Sequence, residues 1–142
     1  MTEFIYLWLG KLGYGHPIHS PATHIPMGMI MGGCLFVQIA AFLNKPAFYR
    51  TARHCYGFAL AGIPPVMFLG YMDWQHFYRG AWRHEIVAKV ILASILFVVC
   101  IFNFVRLGKD TTDRRVTVGA ALLSLAIAGA VGFFGGELVY GG

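Results

Sequence analysis

The chain has 142 residues, of which 58% are hydrophobic and 12% charged, with a mean hydropathy of +0.65. A soluble domain carries about twice that share of charge, so the composition excludes an ordinary water-soluble globule and points to a chain folded in lipid. The net charge of +5 would suit nucleic acid or anionic lipid, but the basic residues cluster between apolar stretches, and no nucleic-acid partner is expected.

In chain order, "MTEFIYLWLGKLGYGH" has no basic residue before a very short apolar run and no small-residue cleavage site, so no signal peptide is expected. Phe4, Leu7, Trp8 and Lys11 follow helical spacing, which predicts a short amphipathic N-terminal helix at the membrane interface or docked on a partner subunit. Gly13, Gly15 and Pro17 end it.

Four apolar stretches follow, at roughly residues 23–43, 52–73, 84–107 and 116–140, each long enough to cross a hydrocarbon core as a helix. They lack the alternation of lipid-facing strands and are about twice as long as such strands need, which excludes a barrel. The expected fold is an all-α membrane protein, a four-transmembrane-helix bundle forming one domain over residues 1–142. Pro21 and Pro26 stiffen the entry to the first span, and Pro64 and Pro65 predict a kink in the second.

Lys45, Arg50 and Arg53 follow the first span, and Arg106, Lys109, Arg114 and Arg115 bracket the turn between the third and fourth. The positive-inside rule places both connections in the cytoplasm and both termini on the periplasmic side, in a multi-pass protein of a bacterial inner membrane. Trp74, Phe77, Tyr78 and Trp82 then suit the outer headgroup layer. Cys34, Cys55 and Cys100 form no motif and read as buried thiols. Gly28 and Gly32 in the first span, like Gly132 and Gly136 in the fourth, have the small-xxx-small spacing of close helix packing, which also leaves room for a flat cofactor.

This topology gathers His16, His19, His24, Asp73, His76, His84, Glu85 and Glu137 at one end, leaving only His54 among the histidines at the other. His24 shares a helical face with Gly28, Met31 and Leu35, and His84 shares one with Ala88, Ile91 and Ile95. Two imidazoles on facing helices with small residues one turn deeper are what a six-coordinate haem b needs, so His24 and His84 are the expected axial ligands, with His19 or His16 next. Arg79, Arg83 or Lys89 would pair with the propionates, while Asp73, Glu137 or His76 would orient ligands or carry protons. Glu85 and Lys89, one turn apart, are expected to pair with each other.

Taken singly, a histidine at this depth is more often an ordinary headgroup-level residue, and the clustering alone raises the odds of a site. Met27, Met29 and Met31 beside the histidines admit copper, although such a stripe usually only packs. No serine is linked by a motif to a histidine and an acid, and the glycine fingerprints of nucleotide sites are missing.

The entry "HSPATHIPMG" with His19, His24 and Pro26, "GYMDW" ending the second span, His84 opening the third and "GGELVY" closing the fourth resemble a bacterial family of four-helix membrane proteins of unknown function. The resemblance is spread over most of the chain, and some members of that family are fused to a Rieske iron–sulfur domain. Two departures stand out: a proline that commonly follows the first histidine is displaced here to Pro21, and a longer C-terminal tail is missing after "GGELVY". The fusion implies membrane electron transfer. The expectation is a b-type haem protein relaying electrons near the periplasmic face between quinol and a periplasmic cytochrome or iron–sulfur protein. The alternative is a cofactor-free anchor subunit of a homo- or hetero-oligomer.

Overall fold

The computed structural model describes residues 2–109 and 113–140. They form five helices: α1 (Thr2–Lys11), α2 (His19–Phe42), α3 (Ala47–Phe77), α4 (His84–Arg106) and α5 (Arg114–Tyr140). No strand occurs among the described residues. Four helices are long and apolar enough to span a bilayer, over His19–Phe42, Ala47–Phe77, His84–Arg106 and Arg114–Glu137. The protein is thus an all-helical, multi-pass membrane protein.

The four long helices run alternately up and down as a ring, each packing mainly on its two neighbours, and α1 lies against α3. Between helices in lipid there is little hydrophobic driving force, so association depends on close approach and interhelical hydrogen bonds. Both are present. Ala52, Ala59, Ala121 and Ala128 line the core without bulk, and the Tyr56 ring lies so close to α2 that a Cβ placed on Gly33 would stand 3.0 Å from it. Ser124 donates to the Ala121 carbonyl at 2.7 Å, so its oxygen is left to accept from the Tyr56 hydroxyl at 2.9 Å, tying α3 to α5. Lower down, the Asn103 amide donates to the carbonyls of Val99 and Ala120, joining α4 to α5.

Three expectations change. The close glycine contact to Tyr56 is made by Gly33, whereas a Cβ on Gly28 would meet nothing within 4 Å and one on Gly32 only the Cys55 sulfur at 3.8 Å. One residue along a helix turns the side chain by about 100°, enough to replace one face by another. The α3 helix runs through Pro64 and Pro65 to a length of 31 residues, extending past both ends of the expected second span. The α2 helix starts at His19, one turn before the expected residue 23, and the cause of that early start is the site itself.

Candidate functional site

A helix start leaves backbone N–H groups without partners. Ile18, in the capping position of α2, has no side chain that can accept, and Pro21 has no N–H to be satisfied. The acceptor comes from another helix. Asp73 of α3 takes the Ile18 N–H on Oδ1 at 3.1 Å and the His19 N–H on Oδ2 at 2.9 Å. A carboxylate at a helix N-terminus is also favoured by the helix dipole.

Two side chains complete the shell of Asp73, which is 1% exposed. The His19 Nδ1 lies 2.5 Å from Oδ2, and the Tyr6 hydroxyl of α1 donates to Oδ1. Four donors on two oxygens are satisfied by an ionised carboxylate. Burial and the adjacent Asp73 carboxylate push the Tyr6 phenol above its ordinary range, keeping it a neutral donor. Tyr6 is further held by stacking on His76, whose ring centroid is 3.9 Å away and whose Nδ1 is 3.3 Å from Glu3.

On its other side His19 meets Lys89 of α4, with Nζ 3.0 Å from Nε2. An ammonium can only donate, so Nε2 accepts and the imidazole proton is assigned to Nδ1, facing Asp73. Lys89 therefore does not make the expected pair with Glu85. Glu85 lies 3.3 Å from His84 and 3.9 Å from Arg83 instead. The Lys89 amine rests against the bare backbone of α5, where a Cβ on Gly135 would be 3.4 Å from Nζ.

Lys89 and His19 face a cavity of about 620 Å³ at this end of the bundle, with walls from α2, α3, α4 and α5. Its walls are mostly apolar, including Met27, Ile30, Ile63, Leu96 and Val131, and Gly132, Gly135 and Gly136 thin the α5 wall. Met31 and Met67 line it and are 60% and 39% exposed. Within a membrane span such residues face lipid, so the cavity has an opening toward the bilayer.

Of the residues singled out in the sequence, His16, His19, His24, Met27, Met31, Lys89, Gly132 and Gly136 line this cavity. His84 does not: its side chain is 88% exposed and turns to Glu85. The structure thus does not bring His24 and His84 to one space. Arg79 is exposed in a left-handed turn, Arg83 is half-exposed beside Glu85, and neither lines the cavity; nor do Gly28, Gly32 and Glu137. Both ring nitrogens of His19 are engaged, and His19 and His24 stand only about 7.5 Å apart along one helix, so they cannot flank one iron from opposite sides. Neither His24 with His84 nor His19 with His24 is therefore set as an opposed pair of axial ligands. Among the described residues no group of three or more histidine, cysteine or acidic side chains is placed to hold a metal ion.

The sequence reading gave no role to Tyr6, which closes the site from α1. Its only sequence signal was position: a tyrosine between Phe4 and Trp8 on a short helix at the histidine end.

Comparison with curated proteins and with solved structures returns no match. A family described as predicted membrane proteins, DUF2231, matches residues 15–142, a range that takes in the four spans and the loop with His16 but not α1; the chain belongs to that family.

Proposed function

We propose that the protein is a membrane redox component that binds a quinone-class carrier in the cavity at the histidine end. The observation that carries this reading is the Lys89–His19 pair facing an apolar chamber that opens to lipid. Among molecules dissolved in a bilayer, a quinone combines a flat head bearing two carbonyl acceptors with an apolar tail. The Lys89 ammonium supplies the fixed donor for one carbonyl, and the methionine and aliphatic walls suit the ring and tail. Quinol oxidation releases two electrons and two protons; the electrons pass one at a time to two successive one-electron acceptors docked at this end, of the periplasmic cytochrome or iron–sulfur class. The family resemblance to chains fused to Rieske domains supports that class of partner. The positive-inside bias supports a periplasmic position for this end in a bacterial inner membrane.

The test is calorimetric titration of decyl-ubiquinone into the protein held in lipid nanodiscs, compared with Lys89→Met. A hydrogen bond from a charged donor contributes about 1.5–3 kcal/mol, so the variant should bind tenfold weaker or worse. Equal binding by both proteins, or none by the wild type, overturns the reading.

A haem reading retains one observation: His16 and His24 both line the cavity. Haem would supply one-electron chemistry there. An absorption spectrum before and after dithionite decides, since sharp reduced bands at one haem per chain would give the cavity to haem instead of quinone.

A further inference from the structure

We infer that Lys89, His19 and Asp73 form a proton relay between the cavity and the end of the bundle that α1 covers. The three groups come from α4, α2 and α3 and stand in line, with Nζ 3.0 Å from Nε2 and Nδ1 2.5 Å from Oδ2. A merely structural ion pair would set the ammonium directly on the carboxylate. Here an imidazole lies between them, with one nitrogen accepting and the other donating, which is the arrangement that proton transfer through histidine requires.

The step is balanced. A proton leaves Lys89 Nζ and bonds to His19 Nε2, while the proton on His19 Nδ1 passes to Asp73 Oδ2. An ammonium and a carboxylate become an amine and a carboxylic acid, and the imidazole stays neutral in its other tautomer. A proton from the cavity then recharges Lys89, Asp73 loses its proton to water once Tyr6 moves aside, and His19 regains its first tautomer by exchange with the same water, Nε2 releasing one proton and Nδ1 taking one up. The Tyr6 phenol does not ionise in this sequence. It is the stopper at the outer end, held by α1.

The titratable groups facing the chain are few. Tyr6 approaches from α1, Tyr14, His16 and His24 share the cavity, and Tyr78 beyond the end of α3 lies within electrostatic reach of Asp73; α5 offers glycines and Val131 to the cavity. The relay rests on the quinone reading only for the source of its protons.

Its test contains no quinone, so the two stand or fall separately. The ligand-free protein in nanodiscs, with 15N-labelled histidine and lysine, is titrated with acid and base by NMR, and the His19 and Lys89 signals are assigned by their loss in His19→Gln and Lys89→Gln. Asp73 caps α2, and an Asp73 variant would confuse unfolding with loss of transfer. Lys89→Gln keeps a donor at Nε2 and carries the test instead. The expected result is that His19 holds its proton on Nδ1 at neutral pH, its two nitrogens respond at the same midpoint as Lys89, and that response disappears in Lys89→Gln. Ring nitrogens that stay unchanged while Lys89 titrates, or that respond identically in Lys89→Gln, would overturn the relay.

Discussion

Replacing Asp73 by asparagine should loosen the start of α2. The carboxylate accepts four hydrogen bonds, and Oδ2 takes both the His19 N–H and the His19 Nδ1–H. An amide nitrogen in that place accepts neither, so two bonds to a charged acceptor are lost at about 1.5–3 kcal/mol each. The lost attraction between the carboxylate and the helix N-terminus adds about 0.3–1 kcal/mol. These terms share partners and do not simply add, and about 3–5 kcal/mol is the cost expected for breaking a buried charged network at one member. Reversible unfolding in mixed micelles, followed by circular dichroism, measures it against wild type. Tyr6→Phe serves as the comparison, since it removes one bond to Asp73 and should cost about 1.5–3 kcal/mol. A loss below about 1 kcal/mol for Asp73→Asn would refute the argument that this carboxylate holds the α2 entry.

Gly33→Val should destabilise by about 1–3 kcal/mol because its Cβ would press on the Tyr56 ring, which is anchored to Ser124, whereas Gly28→Val enters open space and should change stability far less. The same unfolding assay separates them; equal effects would mean that α2 is rotated from the position described. Lys45→Cys should react with a membrane-impermeant maleimide only after the cells are opened, and Trp82→Cys in intact spheroplasts. The reverse pattern would invert the orientation of the site.

The spans were legible because each holds an apolar run longer than any turn could interrupt, and lipid leaves a backbone of that length no alternative to a helix. The histidine end was legible too, since three imidazoles within nine residues follow from counting along the chain. The partners were not. Asp73 and His19 lie 54 residues apart and Lys89 and His19 70, and both contacts depend on the mutual rotation of antiparallel helices, which composition does not encode. Local spacing misled at Lys89: the turn-apart rule favours Glu85, but Lys89 instead bonds His19 across the bundle, while Glu85 stays beside His84 and Arg83. It misled again at the glycines, where a repeat of four drew attention to Gly28 and Gly32 rather than Gly33, the position that Tyr56 packs against.

The central claim, that a quinone-class molecule occupies this cavity beside Lys89, is tested most directly by photolabelling with an azidoquinone in nanodiscs and mapping the labelled peptides by mass spectrometry. The account predicts label on cavity-lining positions such as Met27, Met31 and Val131, abolished by excess decyl-ubiquinone and reduced in Lys89→Met. Label confined to lipid-facing positions such as Phe58 and Phe133, or insensitive to competitor, would contradict it.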